Sequence, residues 1–148
     1  MKTLIKLFLL IFPTVLLFHS CKEKCGDCFT PPSPFVFEVV DSTSGANLFQ
    51  NGTLNPDSLR VTDQDGKNVL FTFLSENDID LIRVNSIGWQ SETVDYTFKY
   101  SNDTIFGLHV VAERLTQDCC SFTRYDEITI SGAEYTYDTG SGIYTIKY

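Results

Sequence analysis

From residue 35 onward, apolar and polar side chains alternate with a period of two, the repeat of a strand with one buried face. Phe35, Phe37 and Val39 share one face, and Val36, Glu38 and Val40 share the other. The cluster Asp41-Ser42-Thr43-Ser44-Gly45 then supplies turn chemistry. A second strand is predicted over Ser58 to Thr62. Asp63-Gln64-Asp65-Gly66 reads as a hairpin turn, with a return strand over Asn68 to Leu74 that sets Val69, Phe71 and Phe73 against Leu70, Thr72 and Leu74. Leu81 to Val84 is a short strand. The clearest alternation is Val94, Tyr96, Phe98 and Tyr100 against Asp95, Thr97 and Lys99. A turn at Ser101-Asn102-Asp103 leads into a return strand over Thr104 to Leu115, with Phe106, Leu108, Val110 and Ala112 on one side. Strands over Asp126 to Ser131, Glu134 to Tyr137 and Ile143 to Tyr148 follow, the last two separated by Gly140-Ser141-Gly142. Seven or eight short strands without a helical period predict an all-β chain. The expected architecture is an antiparallel β-sandwich, immunoglobulin-like, with a small β-barrel as the alternative.

Residues 1–20 have a different pattern. Lys2 and Lys6 precede an apolar stretch from Leu7 to Phe18 that only Pro13 and Thr14 interrupt, and the small Ser20 stands before Cys21. This is the layout of a secretory signal peptide, and its apolar part is too short to span a bilayer. A small residue immediately before a cysteine resembles the lipobox of bacterial lipoproteins. The resemblance implies cleavage before Cys21, a diacylglycerol thioether on its sulfur and an acylated new N-terminus. Three acyl chains meet the requirement that stable anchoring takes more than one. The expected organisation is a leader over 1–20, a lipid-anchored tether over 21–34 rich in charge and proline, and one domain over 35–148. The lipid on Cys21 would be the membrane attachment, in the cell envelope at the outer membrane, facing the periplasm or the exterior.

The chain carries 11 Lys and Arg against 19 Asp and Glu, for a formal charge of −8, and removing the leader's two lysines takes it to −10. So acidic a domain repels nucleic acid and anionic lipid head groups, and neither is expected as a partner. Of the five cysteines, four remain beyond the anchor: Cys25, Cys28, Cys119 and Cys120. In an exported chain they read first as disulfides, with three possible pairings. The favoured pairing crosses Cys25 and Cys28 to Cys119 and Cys120, closing long loops and clipping the tether to the domain. Cys25-Gly26-Asp27-Cys28 also has the spacing of a redox pair, but lacks the strand-to-helix setting that activates one. A four-thiolate zinc site is a further alternative, with its second pair set too close for the usual knuckle.

Other candidate chemistry is sparse. His109 lies in mid-strand with no nucleophile partner, and the catalytic motifs of hydrolases, metalloproteases and phosphate-binding loops are absent from the sequence, so no enzymatic activity and no cofactor are expected. Asp63, Asp65 and Asn68 look like the start of a calcium loop, with Glu76, Asn77, Asp78 and Asp80 as helpers. They lack the bidentate glutamate of an EF-hand, and the hairpin reading explains the same residues. Trp89, the sole tryptophan, is either core packing or a stacking platform for a sugar or peptide. Tyr135, Tyr137, Tyr144 and Tyr148 form a second aromatic set open to the same two readings.

The leader ending Ser20-Cys21, the segment Cys28-Phe29-Thr30-Pro31-Pro32 and the later Asp118-Cys119-Cys120-Ser121-Phe122-Thr123 resemble small lipoproteins of Bacteroidota. That group brings no known activity. In the same phylum a charged segment after the lipidated cysteine directs surface export, and Lys22-Glu23-Lys24 looks partly like it. The phylum's glycosylation pattern matches Asp41-Ser42-Thr43, Asp57-Ser58-Leu59 and Asp103-Thr104-Ile105. The expected function is a non-catalytic binding or interaction module with an envelope protein or glycan as partner. The alternative is metal handling through the four cysteines or the acidic turns.

Overall fold

The computed structural model describes residues 28–76, 79–118 and 120–148; Cys21, Cys25, Cys119, Asn77 and Asp78 lie outside them, as does the leader. Nine strands are formed among the described residues: β1 (Phe35–Val40), β2 (Leu59–Thr62), β3 (Thr72–Glu76), β4 (Ile79–Val84), β5 (Glu92–Tyr100), β6 (Asp103–Gln117), β7 (Cys120–Ser131), β8 (Glu134–Asp138) and β9 (Ile143–Lys147). They make two sheets, ordered β3-β4-β1-β9-β8 and β2-β5-β6-β7. The fold is a β-sandwich, and its two separate sheets set the barrel alternative aside. One strand pair is parallel: β1 runs alongside β9, with Phe37 opposite Tyr144 and Val39 opposite Ile146, so the first and last strands are neighbours. All other strand pairs are antiparallel.

The alternating faces close on each other as their periodicity requires. Phe37, Val39, Ile82, Val84 and Ile146 of one sheet and Val61, Phe98, Phe106 and Val110 of the other are all within 1% of full burial. Phe98 and Phe106 are register partners and stack at 4.1 Å between centroids. Phe37 packs against both from the opposite sheet at 5.0 Å. Each such ring contributes about 1.5–3 kcal/mol by leaving water. A loop that the alternation did not predict caps one end of this core, placing Leu48, Phe49 and Leu54 inside. Asn47 organises it: its Oδ1 accepts from the Phe49 and Gln50 N–H groups, and its Nδ2 donates to the Asp80 carbonyl and Glu38 Oε1.

Two strand expectations are corrected, and the tether is found held to the domain. The return strand over Asn68 to Leu74 does not pair along β2. The turn forms as expected, with Gly66 at φ +76 and its N–H donating to the Asp63 carbonyl. Only the Thr62–Asn68 bridge and the Val69 to Val61 bond follow; the chain then crosses to the other sheet, where β3 pairs with β4. The segment from Cys28 to Pro34, read from the sequence as tether that a crossing bridge would clip to the domain, is bound to it from Cys28 onward. Phe29 bridges to Ser121 in parallel, and the Thr30 N–H donates to the Ser121 carbonyl at 2.9 Å. Finally, the strand expected over Asp126 to Ser131 begins at Cys120. Its first half, Cys-Ser-Phe-Thr-Arg-Tyr, has no clean alternation, and pairing with the end of β6 holds it extended.

Candidate binding site

The 28–34 segment is a strap across one end of the sandwich. A disulfide joins Cys28 to Cys120 across 92 residues of sequence, with Cα atoms 4.6 Å apart. The crossing pairing read from the sequence is therefore present for this pair. Cys28 and Cys120 sulfurs bonded to each other cannot serve as thiolates, so a zinc site using all four cysteines is unavailable in this state. Further along, Arg114 Nη1 donates to the Thr30 carbonyl and to Thr123 Oγ1, and the Tyr125 hydroxyl donates to the Ser33 carbonyl at 2.9 Å.

Beside the strap, a groove of about 390 Å³ opens between the sheets. Phe35 and Pro34 form its floor, Tyr125 and Ile128 of β7 one wall, and Tyr137 and Tyr144 of β8 and β9 the other, with Ser33, Ser141 and Gly142 on the rim. Tyr125 owes its place to a bulge: the register shifts between Val111 and Ala112, leaving Asp126 without a partner and setting Tyr125 opposite Ala112. Without that extra residue Asp126 would hold the inward position. Tyr125 meets Phe35 edge-on at 5.1 Å, and Tyr137 stacks on its register partner Tyr144 at 4.4 Å. β8 is an edge strand, so Tyr137 stays 48% exposed while Tyr144 is buried.

The groove is uncharged and mostly apolar, with tyrosine and serine hydroxyls as its polar groups. Burial, then the neighbouring tyrosines, pushes the Tyr144 hydroxyl up to about 12. Burial, then Glu92, raises that of Tyr125. Both stay protonated at neutral pH. The nearby Asp138 carboxylate is committed to its own turn, accepting from the Ser141 hydroxyl at 2.6 Å and the Gly140 N–H at 2.9 Å. A second hollow of about 390 Å³ runs along β2, bordered by Leu59, Arg60, Val69 and the exposed Leu70. It has no comparable set of facing aromatic rings.

The structure distributes the other candidates widely. Tyr135, Tyr137 and Tyr144 come together, whereas Tyr148 lies at the chain end. Trp89 is not core packing: it is 53% exposed, donates Nε1–H to the Asn85 carbonyl at 2.7 Å and stacks on Phe29 with centroids 6.0 Å apart. His109 faces Asp95 across the β5–β6 pair, Nδ1 to Oδ1 at 2.7 Å, away from the groove. Asp63 Oδ1 accepts from the Asp65 and Lys67 N–H groups and Lys67 pairs with Asp65, so the hairpin turn uses the oxygens of the calcium-like segment itself. Of the residues in the glycosylation pattern, Ser42 and Thr104 are exposed and Ser58 is half-buried. Among the described residues no three His, Cys, Asp or Glu side chains converge as metal ligands, and no helix is long and apolar enough to cross a membrane. Sequence reading missed Ser33, Phe35, Tyr125 and Ile128 as groove residues; the bulge that aims Tyr125 has no signature in composition or period.

These features define a strapped β-sandwich with an aromatic groove at its open side. Comparison with family models, curated proteins and solved structures finds no match for the chain.

Proposed function

We propose that the chain is a lipid-anchored, non-catalytic binding module of the bacterial envelope, held at the outer membrane through Cys21, and that its groove takes a neutral glycan. The observation carrying this reading is the groove itself: stacked, part-exposed tyrosine rings beside uncharged hydroxyls, in a volume within the range of small-ligand sites. Aromatic faces pack against the C–H face of a sugar ring, and uncharged hydroxyls bond its hydroxyls without the desolvation penalty of an ion. The leader and its Ser20-Cys21 end support the anchor, and the absence of catalytic motifs from the sequence supports a binding role.

The test is a glycan array probed with the native protein, followed by titration of the hits. Neutral saccharides should bind, Tyr137→Ala should weaken them tenfold or more, equivalent to about 1.4 kcal/mol, and Tyr148→Ala, outside the groove, should not. An array without neutral hits, or a Tyr137→Ala protein that binds as before, contradicts the reading.

A further inference from the structure

We infer that the end of the sandwich carrying Phe29 and Trp89 is a membrane-apposed face, seated in the headgroup region of the bilayer that holds the lipid anchor. The inference rests on the anchor at Cys21. Two large apolar side chains, Phe29 at 58% and Trp89 at 53% exposure, stack into one surface patch. The Arg114 guanidinium lies 5.0 Å from the Phe29 ring centre. An exposed apolar patch bordered by polar groups marks a surface that meets something other than water. An exposed tryptophan stacked on phenylalanine suits the interfacial zone, where such rings enter the headgroup layer.

The chain itself selects the bilayer as occupant. Seven residues of covalent reach separate Cys21 from Cys28, at most about 25 Å when fully extended. Cys28 cannot peel away, because its disulfide to Cys120 holds it to the domain. Without that bridge and the strap's hydrogen bonds the reach would extend to Phe35, about 50 Å. Phe29 immediately follows the pinned cysteine and pairs with Ser121, next to Cys120. The aromatic patch therefore lies at the attachment point, and the tether turns its contact with the bilayer into an intramolecular event at high effective concentration. In sequence, Lys22 and Lys24 lie between anchor and bridge together with Glu23 and Asp27. The acidic remainder of the chain is repelled by an anionic surface, which favours an orientation with this end down.

Trp89 is the only tryptophan, so it reports its own surroundings. The acylated protein, extracted from its membrane, is placed in phosphatidylethanolamine–phosphatidylglycerol vesicles whose acyl chains are brominated just below the headgroups, and its intact mass is recorded. Trp89 emission should move to shorter wavelength and be quenched by bromine, and both effects should diminish in an acylated Phe29→Ala protein. Emission as in water, quenched by iodide, from a protein whose mass shows acyl chains would overturn the inference and leave the anchor standing. A blue shift without bromine quenching that grows with protein density would overturn it in favour of a second copy on this face. A mass without acyl chains would overturn anchor and inference together.

Discussion

His109 shows how one cross-strand pair sets a side chain's chemistry. Its Nδ1 lies 2.7 Å from Asp95 Oδ1 on the adjacent strand. That hydrogen bond, then the charges of Asp95 and Glu127, raises its pKa above 6.5. A raised folded-state pKa means the pair's stabilising contribution is fully present below pH 6.5 and is lost as pH rises through the folded value. NMR titration should place the His109 midpoint above 6.5, and Asp95→Asn should move it back down. A midpoint unchanged by Asp95→Asn would show that the pair is not made. The shift arises on the outer face of the sheet, where Asp95 and Thr129 are the register partners of His109 on its two neighbouring strands.

At the scale of elements, the strap is held by a small set of close contacts, and Gly88 lies where they converge. Its φ is +91, and a Cβ there would approach Thr123 Cγ2 to 2.8 Å, the Tyr125 hydroxyl to 3.0 Å and Pro32 Cβ to 3.3 Å. Glycine alone reconciles that backbone conformation with the close approach. Gly88→Ala should therefore cost about 1–3 kcal/mol, read as a lower denaturant midpoint, and should loosen the strap. Hydrogen exchange at Thr30, whose N–H bonds to Ser121, should quicken with it. The register shift that frees Asp126 is the other decisive local device. It converts an exposed stretch of β7 into a groove wall by turning Tyr125 inward.

For the whole molecule, the Cys28–Cys120 bridge is a covalent constraint across 92 residues of sequence. Closing a loop of this length lowers the entropy of the unfolded chain and is worth about 4–5 kcal/mol on the chain-entropy estimate. The paired substitution of Cys28 and Cys120 by serine should lower unfolding stability by about 2–5 kcal/mol. The sandwich should survive in far-UV circular dichroism, because its core of Phe37, Phe98 and Phe106 does not touch the bridge. Complete loss of β structure would instead make the bridge a condition of folding. Among the described residues, β1 and β9 lie side by side in one sheet, and β1 leads directly from the strap that borders the groove.

The sequence alone determined most of the strands, their inward faces where alternation is clean, and the β5–β6 hairpin, because a period of two is local and each such buried face is written in consecutive residues. It also determined the cysteine arithmetic from which a crossing bridge could be read, and it raised the aromatic set of Tyr135, Tyr137 and Tyr144. The tertiary structure decided which strands are neighbours. Asn68 to Leu74 alternates as a hairpin partner of β2 should, yet most of it leaves for the other sheet, since alternation specifies a buried face without naming the strand beside it. Only the fold could place Trp89 outside the core, turn Tyr125 inward through an unpaired Asp126, and bring Ser33 and Phe35 against residues a hundred positions later. These depend on register and on long-range packing, which exist only once the chain has closed on itself.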